Sequence, residues 1–554
     1  MNHPIDFERA AERIAQTAHH YVNVCSFTDT RQERNVEDFF LDHFSAIPYY
    51  QAHPDHYGIY RIPADPHERG VCWALCKGEG PDTVVMVHHY DTVGIEDFRD
   101  LKDYALEPDT LREQLLSNIA LFSGETRADI ESGDYAFGRG ICDMKGGGAI
   151  QYTLLEQYTE HPDFQGNVIV IGVPDEENLS AGMRGAVRLL AELKENYGLR
   201  YKLMINSEPH QRRIADTGII SLGSMGKMMA FVYVRGSLSH CGKVFEGLNP
   251  VNVLSEIVRR TELNMDLADF CQGESAMPPT WLYAKDSKDV YDVSLPLSAY
   301  GCLSVLNLTM TPPELLRHLQ KICSDSFDAV LSSMHKAWRT FCAKTGRPET
   351  DLPWKNRVTG FRELCAEAEA ARGETFRAAL AEKKKSLRQQ MRQENLSIVE
   401  CNLALVDFVY DYVPDIAPRV VYGLVPPYYP CVSDLEYEKT DPQIAGLFPQ
   451  LQSYAADRFG QKYDKEYFFS GLSDLSYTGL SDPAGVEKAL REEMPLYGDL
   501  YDLPVDAICA IAMPCINIGP WGKDFHKLTE RVYLEDLLHQ TPMLVDRAVK
   551  YMLG

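Results

Sequence analysis

The 554-residue sequence predicts an α/β protein with a smaller α+β domain inserted into it, and three observations carry that expectation. Short apolar runs alternate with helical segments, as where residues 167–173 (NVIVIGV) precede AGMRGAVRLLAELKEN from Ala181 onwards. Strands bounded by polar loops and followed by helices argue for a sheet with helices on both faces. The middle of the chain, about 223–428, changes character: strands at 227–234, 300–310 and 419–425 accompany helices at 250–261 and 312–334. The length also exceeds what one hydrophobic core ordinarily serves. Residues 1–222 and 429–554 then form the two parts of one α/β domain, and 223–428 form the insertion.

Taken in order, the first 24 residues predict an amphipathic helix, since no basic segment precedes a continuous apolar core as in a secretory signal. Residues 84–87 (VVMV) predict a strand covered on both faces, because consecutive β-branched and apolar residues leave no solvent side. Residues 201–206 (YKLMIN) predict another strand. Within the insertion, about 361–412 reads as a long, charged, alanine-rich helical excursion whose Lys383–Lys385 run is a solvated face. Residues 507–518 (AICAIAMPCINI) predict one or two further strands, and a closing helix begins near Leu534.

Composition narrows the function classes. Lys and Arg number 55 against 80 Asp and Glu, a net charge of −25, with a pI near 5.1 and mean hydropathy of −0.27. Nucleic acid and anionic membrane are polyanions that need a basic surface, so both are excluded as partners, whereas metal ions and cationic substrates are favoured. No apolar run is long enough to span a bilayer. The 14 cysteines are scattered singly without a C-x-x-C pair, which predicts reduced thiols in a cytoplasm. Cys142 has no flanking base and reads as packing.

Chemistry gathers where predicted strands end. In VVMVHHYDTVG, His89 and Asp91 are two apart and so point the same way from an extended chain, while His88 points the other way. A metal-bound imidazole donates its second N–H to an acceptor, and Asp91 is spaced to be one. In GRGICDMKGGG there is no G-K-[ST], and Asp143 sits where a phosphate loop needs bare amides; Gly146–Gly148 instead let a helix start close to the sheet. Adjacent Glu176 and Glu177 in VPDEEN diverge, so that one can bind metal while the other faces substrate. Glu208 in NSEPH and His526 in GPWGKDFHKLTERV complete the set. Ligands of open α/β folds collect beyond the carboxyl ends of strands. Two histidines with carboxylates and no thiolate suit two divalent cations of the zinc class.

These motifs, in this order, resemble the M20 family of dinuclear zinc peptidases and deacylases: H-x-D (His89, Asp91), G-R-G-x-x-D-M-K-G-G (Asp143), D-E-E (Glu176, Glu177), E-P (Glu208) and H-x-x-x-E (His526, Glu530). GSLSHCG in the insertion matches the family's G-x-x-x-H-x-G element. Length, the HHYDTVG start and the enlarged insertion further resemble the arginine-utilisation branch. The resemblance implies a mixed-sheet, zinc-peptidase-like catalytic domain with an inserted lid and dimerisation domain. It implies one cation at His89, Asp143 and Glu208 and another at Asp143, Glu177 and His526, with zinc expected and cobalt or manganese as alternatives. It further implies Glu176 as general base, Asp91 orienting His89, His240 stabilising the oxyanion, and a cis Asp143–Met144 peptide bond. The implied reaction is amide hydrolysis of a small peptide or N-acyl amino acid, and the implied assembly is a homodimer through the insertion. An aminopeptidase acting on free N-termini and a catalytically silent metal-binding scaffold are the alternatives. Gly94 replaces a proline common in the family, Thr529 replaces an asparagine, and 300–310 holds no arginine to grip a substrate carboxylate.

Overall fold

The computed structural model describes residues 5–161, 165–214, 216–393 and 396–554. The chain divides into two compact units. One comprises 1–225, 430–481 and 504–554, and the other comprises 226–429 and 482–503.

The first unit is built on a mixed eight-stranded sheet. Its strand order is Tyr57–Arg61, Gly70–Lys77, Gln165–Val173, Glu79–His89, Arg200–Asn206, Cys515–Asn517, Thr217–Ser221 and Lys462–Glu466. The four strands from Gln165–Val173 to Cys515–Asn517 are parallel, so their carboxyl ends share one edge. Val84 and Met86 pack into a core with Phe7–Asn23, Lys145–Tyr158 and Thr541–Leu553. Val85 and Val87 are equally buried on the opposite face, where Ala181–Tyr197 packs against the neighbouring strands. Burial on both faces accounts for the unbroken apolar runs.

One apolar run is a helix where strands were expected. Val505–Ile511 is helical, and only Cys515–Asn517 forms a strand. Periodicity cannot separate a short buried helix from a strand, and the prolines at 504 and 514 bound a segment of helical length.

The second unit carries a five-stranded sheet in the order Thr280–Asp286, Ser298–Asn307, Gly226–Arg235, Arg419–Tyr429 and Val358–Gly360. Only the last pair is parallel. Met229, Phe231 and Tyr233 pack against the excursion, which is three helices, Phe361–Arg372, Glu374–Arg392 and Ile398–Tyr410. Pro250–Thr261 and Pro312–Thr345 pack on the sheet as well, the latter opened by a capping box of Thr311 and Glu314. Residues 482–503 join this unit, although the patterning assigned all of 429–554 to the catalytic domain. They join because Leu496 enters the core of the excursion and its amide donates to Asn402 Oδ1 at 3.1 Å. Asp499 also accepts bonds from Lys384 at 2.7 Å and Arg388 at 3.0 Å. Among the described residues no helix is long and apolar enough to cross a membrane.

Candidate metal centre

The parallel strands deliver the polar groups to one edge. His89 is the last residue of Glu79–His89 and is buried. Glu176 and Glu177 follow Gln165–Val173, Glu208 follows Arg200–Asn206, and His526 lies in the loop between the paired segments Gly522–Lys523 and Arg531–Tyr533. Asp143 sits in the turn before Lys145–Tyr158, and its peptide bond to Met144 is cis. The three glycines let this helix begin against the sheet: a Cβ on Gly146 would strike the Ile141 carbonyl, and one on Gly147 the Ser207 carbonyl. His88 turns the other way, with Nε2 3.1 Å from Tyr21 Oη and Nδ1 2.9 Å from Gln151 Oε1.

Asp143 joins the two histidines. One oxygen is 3.0 Å from His89 Nε2 and the other is 3.1 Å from His526 Nε2. Glu208 lies 3.4 Å from His89 Nε2 and Glu177 lies 2.7 Å from His526 Nε2. Two sets therefore converge, His89, Asp143 and Glu208 on one side and Asp143, Glu177 and His526 on the other, with donor atoms within 4.8 Å of one another in each. Glu176 approaches His89 and Glu177 in the same way.

The electrostatics are those of buried carboxylates crowded around two imidazoles. Burial pushes Glu208 up to about 7 against the pull of His89. Burial and the Asp143 charge raise Glu177, and burial raises Glu176 well above the usual carboxylate range. Hydrogen bonds from His526 and His89 hold Asp143 low against its own burial. Bonds to Asp143 and Glu177 lift His526 to about 10. Crowded, buried carboxylates with two imidazoles are the donor chemistry of divalent cations that take nitrogen and oxygen ligands, so this residue set fits a metal pair.

Asp91, expected to orient His89, lies against it and also holds the neighbouring turn. The carbonyl of Asp91, at 3.0 Å, takes the His89 Nδ1 contact, while its carboxylate is 3.6 Å away. That carboxylate also accepts the amides of Glu176 at 3.1 Å and Glu177 at 3.2 Å, and the Thr28 hydroxyl at 2.9 Å. Alternation of side chains indicated which face Asp91 occupies, but not that the neighbouring strand's turn would bring two amides to it.

Two further buried carboxylates stand near the site, Glu530, which the sequence flagged, and Asp474, which it did not. Glu530 is buried, and one of its oxygens accepts the amides of Gly140 at 2.8 Å, Cys142 at 3.2 Å and Asp143 at 3.2 Å. Its other oxygen receives Arg139 at 2.7 Å. The H-x-x-x-E spacing flagged Glu530 without indicating this cradle. Asp474, in the loop helix Asp474–Thr478, is fully buried and within electrostatic reach of His89, Glu208 and Asp91. It stands in a Gly- and Ser-rich stretch, FFSGLSDLSYTG, which carries no motif to mark it. Thr529, at the departure from the family pattern, donates to Asp524 at 2.9 Å and so ties the two sides of the His526 loop.

His240 belongs to the second unit and caps the turn Cys241–Glu246. Its Nδ1 accepts the Gly242 amide at 3.0 Å. The turn is pinned by Phe245, whose ring lies 5.0 Å from Trp338 and 5.6 Å from Phe341 on Pro312–Thr345.

The sequence matches the model of peptidase family M20/M25/M40 over residues 109–546. It is 32% identical over 531 residues to the uncharacterised protein YqjN of Bacillus subtilis (strain 168), covering 95% of this chain and 94% of that one. Protein RocB of the same organism is 27% identical over 550 residues, covering 98% and 95%. Among solved structures, a tripeptidase from Staphylococcus aureus shares the fold, with a TM-score of 0.51 at 13% identity over 98% of both chains.

Bonds to Asp143 and Glu177 raise His526 to about 10, so a cation that took it as a ligand would have to displace a proton. Loading at neutral pH should therefore release protons, and cation affinity should rise with pH through the range below 10. Zinc calorimetry in buffers of different protonation enthalpy measures this. Heats independent of buffer, with affinity independent of pH, would reject it.

Proposed function

The chain belongs to peptidase family M20/M25/M40 and is a metallohydrolase, and from that premise we propose that it hydrolyses an amide bond in a small peptide or an N-acyl amino acid. The observation that carries the proposal is the Asp143 carboxylate, with one oxygen 3.0 Å from His89 Nε2 and the other 3.1 Å from His526 Nε2. A carboxylate shared in this way suits two divalent cations, one held by His89, Asp143 and Glu208 and the other by Asp143, Glu177 and His526. Donors of nitrogen and oxygen favour zinc, with cobalt and manganese as alternatives. When bound, such cations supply Lewis-acid polarisation of a carbonyl and lower the pKa of water.

Glu176 is the general base. Its carboxylate, buried beside the ligand cluster, accepts a proton from the attacking water and returns it to the departing nitrogen. Asp91 keeps Glu176 in reach by holding its amide, and the Asp91 carbonyl keeps His89 oriented. His240 stabilises the oxyanion of the tetrahedral intermediate. With Nδ1 engaged by the Gly242 amide, Nε2 is the ring nitrogen left to donate outward.

The HHYDTVG start and the enlarged insertion, which resemble the arginine-utilisation branch, support a substrate of that branch, and the net charge of −25 favours a cationic one. The 14 unbridged cysteines support a reducing, cytoplasmic setting. A homodimer through the inserted unit is supported by its outer strand Thr280–Asp286, which pairs on one side only among the described residues. Exposed Leu282 on that strand, with Leu263 and Met277 nearby in sequence, supplies apolar surface for the pairing.

Replacing Glu176 by Gln should lower turnover by about 10² or more while two cations stay bound, read by kinetics on a panel of dipeptides and acyl amino acids together with metal analysis. Near-normal turnover of Glu176→Gln would sink the assignment. Asp143→Ala should abolish the binding of both cations, and two ions still bound would reject the shared carboxylate. His240→Ala should lower kcat by about 10² to 10³, the cost of one lost oxyanion donor, with cation content unchanged. Mixed dimers of His240→Ala and Glu176→Gln regain activity where His240 acts across the interface and stay inactive where it acts within its own chain. Full activity of His240→Ala alone ends the assignment.

A further inference from the structure

We infer that Arg69 is a positioning residue for the turn that carries Glu176 and Glu177, holding it through Asp175; the inference rests on the proposed amide hydrolysis at this site. The guanidinium of Arg69 is buried and reaches three carboxylates. Its Nη1 donates to Glu33 at 2.7 Å and to Asp175 at 2.8 Å. Its Nε donates to Asp65 at 3.1 Å and its Nη2 to the same carboxylate at 2.7 Å. Glu33, fully buried, uses its second oxygen to accept the Asp175 amide at 2.9 Å. Asp175 is thus gripped by side chain and main chain at once.

The grip is applied where the backbone needs it. Asp175 has φ of +67°, a left-handed conformation that a non-glycine residue keeps only when its surroundings fix it. Its second carboxylate oxygen accepts the Ala181 amide at 3.0 Å, and its carbonyl accepts that of Ser180 at 2.6 Å, closing the loop onto the start of Ala181–Tyr197. Immediately beyond Asp175, the amides of Glu176 and Glu177 are held by Asp91. The turn is therefore clamped between two anchors, Asp91 on the ligand side and the Glu33–Arg69 pair behind it. A planar fork is what allows one cation to serve Glu33, Asp65 and Asp175 together, and a lysine's single ammonium cannot reproduce it. Losing the fork leaves buried like charges around Asp175 and frees the turn to move.

This geometry makes an asymmetric prediction. Glu177 stands on the clamped turn and belongs to the set with Asp143 and His526, whereas His89 and Glu208 stand on other strands. Arg69→Lys in the full-length, chelator-stripped protein should keep wild-type zinc affinity at the His89–Glu208 side and weaken the Glu177 side by about 10- to 100-fold, in a two-site calorimetric titration. Turnover of the zinc-loaded variant should fall by a similar factor in kcat with KM unchanged, because the base moves with the turn. The His89–Glu208 side is the internal control. A purely structural role would weaken both sides together, and that outcome, or unchanged affinities with unchanged kcat, overturns the inference. Where Arg69→Lys fails to fold, Asp175→Asn, which keeps the shape and removes the partner charge, is held to the same asymmetry. Failure of the wild-type chain to cleave any amide in the panel would reject the proposed function alone, since the zinc titration still decides the role of Arg69.

Discussion

Asp143 can face two imidazoles at once because Glu530, 387 residues further along the chain, takes up the amides of the turn that presents it. The turn between Gly140 and Asp143 would otherwise bury its N–H groups unpaired, a cost of about 1–3 kcal/mol for each. One carboxylate oxygen answers three of them, and Arg139 balances the charge from the other side. Everything downstream depends on that arrangement: the helix that starts at Lys145, the three glycines that let it approach the sheet, and the two donor sets that share Asp143.

The same logic recurs on the neighbouring strand end. Asp91 gives its carboxylate to the backbone of Glu176 and Glu177, so the groups that face the cleft are held by their main chain and their side chains stay available. Such a site crowds buried carboxylates around two imidazoles, and burial shows in the elevated Glu177 and in Glu208 near 7. A divalent cation held by these groups would offset the cost of burying them together.

What could be read from the sequence, and what could not, follows from the range of each interaction. The strand ends at His89, Val173 and Asn206 were legible because a run of apolar residues stops in charge, a purely local signal. The convergence of His89, Asp143, Glu177, Glu208 and His526 was legible only as a set, since each alone is an ordinary polar loop residue. The amides that the Asp91 and Glu530 carboxylates accept were not legible, because a carboxylate that accepts amides from a distant turn looks identical in sequence to one on the surface. The helix Val505–Ile511 was misread because seven apolar-rich residues fit a buried strand equally well. Residues 482–503 carry no boundary signal, since their partners, Asn402, Lys384 and Arg388, come from the helical excursion.

The excursion itself answers a question of surface. A sheet inserted into another domain has two faces and two edges, and each exposed one is a liability. In the second unit the three excursion helices cover Met229, Phe231 and Tyr233. The segment leading into them supplies Val358–Gly360, which pairs with Arg419–Tyr429 and closes one edge. The cis bond between Pro426 and Pro427 falls at the register shift of that strand, between Val425 and Tyr428, where two residues without an amide proton interrupt the ladder. The opposite edge, Thr280–Asp286, pairs on one side only among the described residues, while Tyr283 of that strand packs against the excursion. An enlarged insertion and an open pairing edge are therefore compatible, because the added residues go to the other edge and to a face.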